Sequence, residues 1–374
     1  ARVASGLVPA AGYKKQTLLS QMARINYSYD SKYLITLTGR RDGFSAFGDN
    51  NKYAFFPSVA LGWNIAKEDF LKDHKIISDL KLRLSYGTNG NQAVSAYSTL
   101  AKLATRSYVE GSTSLPGYIP TSLANEDLSW ETTKQLNAGV DFGLLDGRIQ
   151  GSLDVYTKNT YDLLLLRTIS SVHGVSSVLQ NIGKTSNKGL DLGGNSTNLK
   201  MKDFTWSSNL SFSFYRNKIK DLYGNGQDDI VNKWFIGQPI DVNYGKIFGG
   251  VWQLTDDLST SPQPGVQPGF AKVVDQNNDG KIDDKDNVIF GSRQPDFIWG
   301  LGNSFRYKNF SLYLFFQGVQ GTSRNNPLLS DNVQSGVRNN TTRKNWWSPT
   351  NPTNEYYANA LGVNIHGVGM LESD

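Results

Sequence analysis

Side chains along Asp79-Leu80-Lys81-Leu82-Arg83-Leu84-Ser85-Tyr86 alternate polar and apolar, and the same period-two pattern recurs at 135–142, 148–156 and 205–215. Successive side chains of a strand point to opposite faces, so each run presents one apolar and one polar surface. The runs are therefore strands of a sheet with two unlike faces. Candidate strands lie at 22–29, 32–41, 54–63, 79–88, 131–142, 148–158, 186–198, 204–217, 296–307 and 310–318. Most are close to the ~10 residues that a tilted strand needs to cross a bilayer.

The connections supply the second constraint. Asp30-Ser31, Asp146-Gly147, 199–203 and Lys308-Asn309 are short, and 64–78 is a modest connector with a helical look around Lys67, Glu68, Phe70 and Leu71. By contrast, 42–53 is a polar loop, 89–130 and 159–185 are long, 218–295 is very long, and the tail from Val319 is polar and irregular. Short turns thus fall at one end of the sheet and long loops at the other, as in outer-membrane barrels. A soluble β-sandwich has no need for that bias. The face assignments agree. Tyr33, Ile35 and Leu37 are expected to meet lipid, with Thr36, Thr38 and Arg40 in the lumen. Trp206, Leu210, Phe212 and Phe214 are expected outside, with Thr205, Asn209, Ser211 and Ser213 inside. Trp63, Phe142, Trp206 and Tyr307 stand near strand ends, where aromatic girdles belong.

Composition narrows the class. The hydrophobic share is 38%, and no stretch approaches the ~20 apolar residues of a spanning helix. That excludes a helical membrane protein and leaves a barrel open, because barrel strands are apolar only on alternate residues. There is no cysteine, so neither a disulfide framework nor thiol chemistry. The net charge of +5 comes from scattered Lys and Arg, whereas a nucleic-acid groove would concentrate them. No nucleic-acid partner is expected.

The sharpest local motif runs Asp275-Gln276-Asn277-Asn278-Asp279-Gly280-Lys281-Ile282-Asp283-Asp284-Lys285-Asp286. It fits a twelve-residue calcium loop except that Asp286 replaces Glu at the last position. Hard Ca²⁺ takes oxygen ligands, here from Asp275, Asn277 and Asp279, the Lys281 carbonyl, Asp283 through water, and Asp286, with Gly280 permitting the sharp bend. The shorter Asp286 implies modest affinity, and the expected role is structural, ordering the 218–295 loop. No enzyme is expected. His74, His173 and His366 lie in separate connections, and Gly183-Lys184-Thr185 leads into a strand instead of a helix. Tyr108, Tyr118, Trp234, Trp252, Trp346 and Trp347 in the loops are expected chiefly to pack loop against loop, with sugar stacking as the alternative.

Several ordered strings resemble the SusC/RagA family of TonB-linked outer-membrane transporters. They begin with Arg24-Ile25-Asn26-Tyr27-Ser28-Tyr29, Lys32-Tyr33-Leu34 and Arg41-Asp42-Gly43, then Phe55-Phe56-Pro57-Ser58, Gly62-Trp63-Asn64-Ile65 and Glu68-Asp69-Phe70. Leu80-Lys81-Leu82-Arg83-Leu84-Ser85-Tyr86-Gly87-Thr88-Asn89-Gly90-Asn91-Gln92 is the nearest in wording, followed by Trp130-Glu131-Thr132-Thr133-Lys134-Gln135 and Asn187-Lys188-Gly189-Leu190-Asp191. The resemblance extends over nearly all of residues 1–374. It implies an all-β, antiparallel up-and-down transmembrane barrel of roughly 22 strands with an internal plug. It also implies uptake of oligosaccharides or peptides across a Gram-negative outer membrane, a SusD-like surface lipoprotein as lid, and energy from TonB through the plug. Similar calcium-loop segments occur in that family. The ten or so strands here are expected to be an incomplete, central part of such a barrel, without plug or last strands and unable to transport alone. A passive porin and a soluble carbohydrate-binding β-protein are the alternatives.

Overall fold

The computed structural model describes residues 13–71, 74–170, 172, 174–325, 344–358 and 371–373. Its centre is one ten-stranded antiparallel sheet. In chain order the strands are β1 (Leu18–Tyr29), β2 (Tyr33–Phe44), β3 (Tyr53–Asn64), β4 (Ile77–Asn91), β5 (Lys102–Glu110), β6 (Thr113–Ser122), β7 (Glu131–Leu144), β8 (Ile149–Thr168), β9 (Ser177–Lys200), β10 (Phe204–Asp221), β11 (Val242–Gly245), β12 (Phe248–Val251), β13 (Ala271–Val273), β14 (Val288–Ser292), β15 (Phe297–Tyr307), β16 (Phe310–Gln320), β17 (Ser323–Asn325) and β18 (Leu371–Ser373). The sheet runs β1-β2-β3-β4-β7-β8-β9-β10-β15-β16. Every large-sheet strand therefore lies beside its neighbour along the sheet path, an up-and-down meander. The sheet is open, with β1 and β16 as its edges. Each of the ten strands read from the sequence corresponds to one of these ten.

Local backbone chemistry makes the short turns. Asp30 and Ser31 adopt φ of 51° and 50°, and Leu145, Asp146 and Gly147 adopt 54°, 54° and 78°. These left-handed conformations match the twist of a tight hairpin, and Asp and Gly tolerate them at least cost. The helical look of the connector after β3 reduces, among the described residues, to a single 3-10 turn, Ile65–Lys67.

Four further expectations are corrected. The 159–185 connection is mostly strand, since β8 and β9 stay paired from Leu163↔Gly183 to Thr168↔Ser177 beyond a bulge. The bulge brings Asp162 to φ 59°, which re-aims the strands without ending them. The 89–130 loop carries the β5–β6 hairpin. The 218–295 loop holds two small ladders, β11–β14 and β12–β13. The tail is not irregular throughout, because β17 pairs with β18. Period-two reading misses such pieces because they are short, or are exposed on both faces and so show no alternation.

The core is not between layers of the sheet. It lies at the long-loop end, where Phe44, Ala46, Phe47, Phe56, Val94, Leu128 and Trp130 are buried together against Leu164 and Leu179. Trp130 stands 5.2 Å from the Phe47 ring and 5.6 Å from Phe56, and donates from Nε1 to the Lys52 carbonyl at 3.1 Å. Gly48 passes so close to the Glu126 backbone that a Cβ would lie 1.6 Å from its carbonyl oxygen. Only glycine fits there. A second cluster joins Val251 and Ala271 to Trp347 and Tyr357.

Candidate functional site

Register makes one face continuously apolar. Tyr33, Trp63 and Leu82 align across β2–β4, as do Ile35, Leu61, Leu84 and Ala138 across β2–β4 and β7. Leu153, Leu192, Phe212 and Trp299 continue the band across β8, β9, β10 and β15. Tyr27, Leu84, Val155, Leu210 and Phe316 on this face are exposed. A water-soluble sheet would have to cover so wide an apolar surface. Tyr33 stacks on Trp63 and Trp206 on Phe305, with centroids 6.5 and 5.7 Å apart, at the short-turn end. Phe142 and Tyr307 stand at that end too, so the four aromatics expected in girdles belong to one of them. Phe55 and Tyr86 mark the other limit. Trp63 and Phe55 are eight residues apart, about 26 Å along the strand, or about 20 Å of depth at a 40° tilt. That fits within the ~25 Å height of a barrel's apolar band. A cavity of about 740 Å³ lies on this face, lined by Ala138 with Leu82, Leu84, Leu153 and Val155. Its apolar lining suits acyl chains and offers no chemistry for a polar solute.

The opposite face is polar and hydrogen-bonded. Arg83 reaches across Gly139 to grip Asp154 through two nitrogens at 3.0 and 2.8 Å, and donates from Nε to Asp141 at 2.8 Å. Gly139 makes room: a Cβ there would stand 2.4 Å from the Asp154 carboxylate and 2.7 Å from the guanidinium. Asn137 also donates to Asp154 at 2.8 Å. Toward β10 the row continues through Asp191 and Ser213, which are hydrogen-bonded. Thr36, Thr38, Asn209 and Ser211 share this face, as expected. This ladder is the main feature that motif reading missed, because Arg83, Asp141 and Asp154 are far apart in sequence and meet only through register.

The acidic loop sits between β13 and β14 in the segment joining β10 to β15. Its bend is made by Asn278 and Gly280 at φ 57° and 77°. The Gly280 amide donates to Asp275 Oδ2 at 2.9 Å, the Asp279 amide to Asn277 Oδ1 at 3.1 Å, and the Lys281 amide to Asp279 Oδ1 at 3.0 Å. Asp286 is fully buried, accepting from the Gln276 and Asp283 amides at 2.9 and 2.8 Å. Burial, the largest influence on its carboxyl, pushes the pKa up. The amides of Asp283 and Gln276, Lys246 and the Asn277 amide together outweigh it and hold the group below the usual carboxylate range. Asp283 accepts from Lys285 and caps the turn Asp284–Asp286. Asp275 Oδ1 is buried without a hydrogen-bond partner. Among the described residues no three His, Cys, Asp or Glu side chains gather closely enough to hold an ion. Asn277 donates to Asp279 Oδ2 at 3.0 Å, and Asp286 is turned onto backbone amides. His74 is in the connector before β4; His173 and His366 lie outside the described residues.

Of the loop aromatics, Trp252 and Trp347 are buried, with Trp252 donating to Gln263 at 3.1 Å and Trp347 to Gln253 at 2.8 Å. Trp346 stacks edge-on against Tyr356 and Tyr357. These pack loop on loop. Tyr108 and Tyr118, on the β5–β6 hairpin, are exposed.

A meander with one lipid-ready face, one polar face and an elaborated loop end defines a piece of an outer-membrane β-barrel wall. Residues 4–273 match the family model described as TonB dependent receptor-like, beta-barrel, and the chain belongs to that family. TonB-dependent receptor P3 of Formosa agariphila is 42% identical over 359 residues, covering 92% of this chain and 36% of that protein. SusC of Bacteroides thetaiotaomicron, also named a TonB-dependent receptor, is 34% identical over 96% of this chain and 36% of its own length. The chain thus spans about a third of the curated relatives it matches. Among solved structures, the RagAB peptide importer in its open-open state superposes with a TM-score of 0.76 at 26% identity, covering 96% of this chain and 39% of that one. In the closed-closed state the values are 0.70 and 28%, over 83% and 34%. The incomplete-barrel and SusC/RagA expectations are borne out, and the place of such a chain is the outer membrane.

Proposed function

We propose that this chain forms part of the pore wall and outer loops of an importer that brings oligosaccharides or peptides into a Gram-negative cell. In this reading, 218–295 is a long extracellular loop, a SusD-like lipoprotein closes over it, and TonB supplies the pull through an internal plug. The observation that carries it is the RagAB superposition over 96% of the chain, loops included. The likeness to a peptide importer favours a peptide, with an oligosaccharide as the other candidate. Uptake of labelled oligosaccharides and peptides by cells expressing the full-length receptor decides between them. Uptake that persists without TonB would point to a passive pore instead.

Calcium completes the acidic loop in this reading. Support comes from the left-handed bend at Gly280 and from Asp275 Oδ1, a buried oxygen with no hydrogen-bond partner. Asp275, Asn277, Asp279, the Lys281 carbonyl, Asp283 through water and Asp286 would hold the ion, with Asp286 releasing an amide to do so. Titration calorimetry of the full-length receptor with CaCl₂ is expected to show binding in the range of about 10⁻⁴–10⁻³ M, abolished by Asp275→Asn. A flat titration at several millimolar Ca²⁺ would sink the assignment.

A further inference from the structure

Parity sorts the charges of the large sheet. Asp141, Asp154 and Asp191 face the pore. The lipid-facing positions of β7 to β10, from the short turns up to Tyr161 and Lys218, hold Lys134, Lys188, Arg216 and Lys218 and no carboxylate. All four cations stand at the long-loop end. Thr157 pairs with Leu136 and Lys188, and Leu136 with Tyr86, so Lys188 is level with the ring that limits the apolar band. One step further out, Lys134 and Lys218 share a row through Asn159 and Ser186.

Two of the four are already engaged. Arg216 pairs with Asp296 at 2.6 Å and lies over the Phe214 ring, and Lys134 rests over the Tyr161 ring at 5.3 Å. Among the described residues Lys188 and Lys218 form no ion pair, and both are exposed. Ser186 pairs with Lys218, so Lys188, two residues along, is its diagonal neighbour on the same face, about 7–8 Å away. Two flexible side chains at that spacing converge on one phosphate. Directly toward the membrane centre lie Leu136, Val155 and Phe214, all exposed, and beside the lysines stand Thr157 and Asn159, half-buried.

We propose that Lys188 and Lys218 hold the phosphate of an acylated, phosphorylated sugar lipid in the outer leaflet. Its acyl chains run down Leu136, Val155 and Phe214, and its sugar lies along Thr157 and Asn159. Charge and apolar continuity select this occupant together. Cations at the edge of an apolar band sit at headgroup level, where an anionic headgroup neutralises them. A soluble anion would leave the apolar surface below unused. A zwitterionic phospholipid brings its own cation, and a simple anionic phospholipid has no sugar ring to meet the hydroxyl and amide. The inference rests on reading the long-loop end as the outward one.

The test uses the full-length receptor in neutral detergent, titrated with monophosphoryl lipid A and followed by native mass spectrometry. One molecule is expected to bind. Binding is expected to weaken about tenfold with Lys188→Gln and Lys218→Gln together, and about as much when the lipid is dephosphorylated, and to be unmoved by Lys202→Gln at the short-turn end. Inorganic phosphate should not displace the lipid, because the acyl chains carry much of its affinity. In intact cells, Val231→Cys on the exposed long loop is expected to react with a membrane-impermeant maleimide, above the labelling of the parent. If it does not react, the outward reading fails. If it reacts, the lipid site is overturned by equal binding of dephosphorylated lipid or phosphatidylglycerol, by displacement with phosphate, or by a double variant that binds like the parent. Heat-modifiable migration on gels confirms that each variant has folded.

Discussion

The pore wall and the loop crown of this molecule are held by different physics. In the wall, each strand pairs with its neighbours along the sheet, and a residue's surroundings follow from its parity: Leu84 faces lipid and Ser85 the pore. In the crown, Phe44, Phe47, Phe56, Leu128 and Trp130 come from three separate stretches and acquire a core only when those stretches meet. The wall can present apolar side chains because lipid is the solvent on that side, whereas the crown, in water, must bury its own. Two solvents in one chain give two folding rules.

The largest expected effect comes from attacking the crown alone. Trp130→Ala removes a ring that contacts Phe44, Phe47 and Phe56 and leaves the Lys52 carbonyl with the Phe44 amide as its remaining donor. A loss of about 3–5 kcal/mol is expected in the crown. Hydrogen exchange should show it as faster exchange across 92–130 and the neighbouring loop 45–52, with the wall strands unchanged. Loss of protection in β1–β4 as well would mean that crown and wall fold as one unit.

The parity rule of the wall predicts the next effect. Leu84→Arg places a charge in the apolar band, at a cost of about 2–4 kcal/mol if the position is near mid-membrane. Ser85→Arg, one residue on, points into the pore and should be nearly neutral. Unfolding of the full-length receptor by denaturant in bilayers compares the two, and equal costs would break the assignment of faces.

The same contrast explains what could be read from the residues in advance. The ten wall strands were legible because alternation at 79–86 or 205–215 reports on both faces at once, and Asp-Gly or Asp-Ser marks the turns. The β5–β6 hairpin was not legible, because residues such as Leu103, Val109 and Tyr118 stay exposed and impose no alternation. Nor was the continuation of β8 and β9, since the bulge at Asp162 breaks the period without ending the ladder. The acidic loop was legible as a spacing, yet the turning of Asp286 onto two amides depends on where β13 and β14 deliver its ends. The Arg83 ladder needs register, which no single strand encodes.

That ladder gives a smaller effect. Arg83→Met leaves Asp141 and Asp154 facing each other beside Gly139, part-exposed to the pore. Water in the pore screens the loss, so about 1–2 kcal/mol is expected. Arg83→Met combined with Asp154→Asn should recover part of it; if the double variant is as weak as the single ones summed, the bridge contributes nothing of its own.

The smallest effect lies at the short-turn end, where a crown-like convergence appears in miniature. Glu68 accepts from Trp63 Nε1 at 3.0 Å, Tyr33 Oη at 2.7 Å and Lys32 Nζ at 3.1 Å, pinning the connector to the girdle. Those donors, Trp63 first, then Tyr33 and Lys32, lower its pKa from 4.5 to about 2. A carboxylate depressed by folding stabilises the native state above its unfolded pKa and loses that contribution as pH falls through the folded value. The stability gap between the parent and Glu68→Gln should therefore be constant above about pH 5 and shrink between about pH 4.5 and pH 2. Because the side-chain amide of that variant does not titrate, subtracting the two melting curves cancels the other carboxylates. A gap that closes near pH 6, or one that survives undiminished at pH 2, would show that the three donors do not hold the charged form, and that short-turn geometry alone anchors this end of the wall.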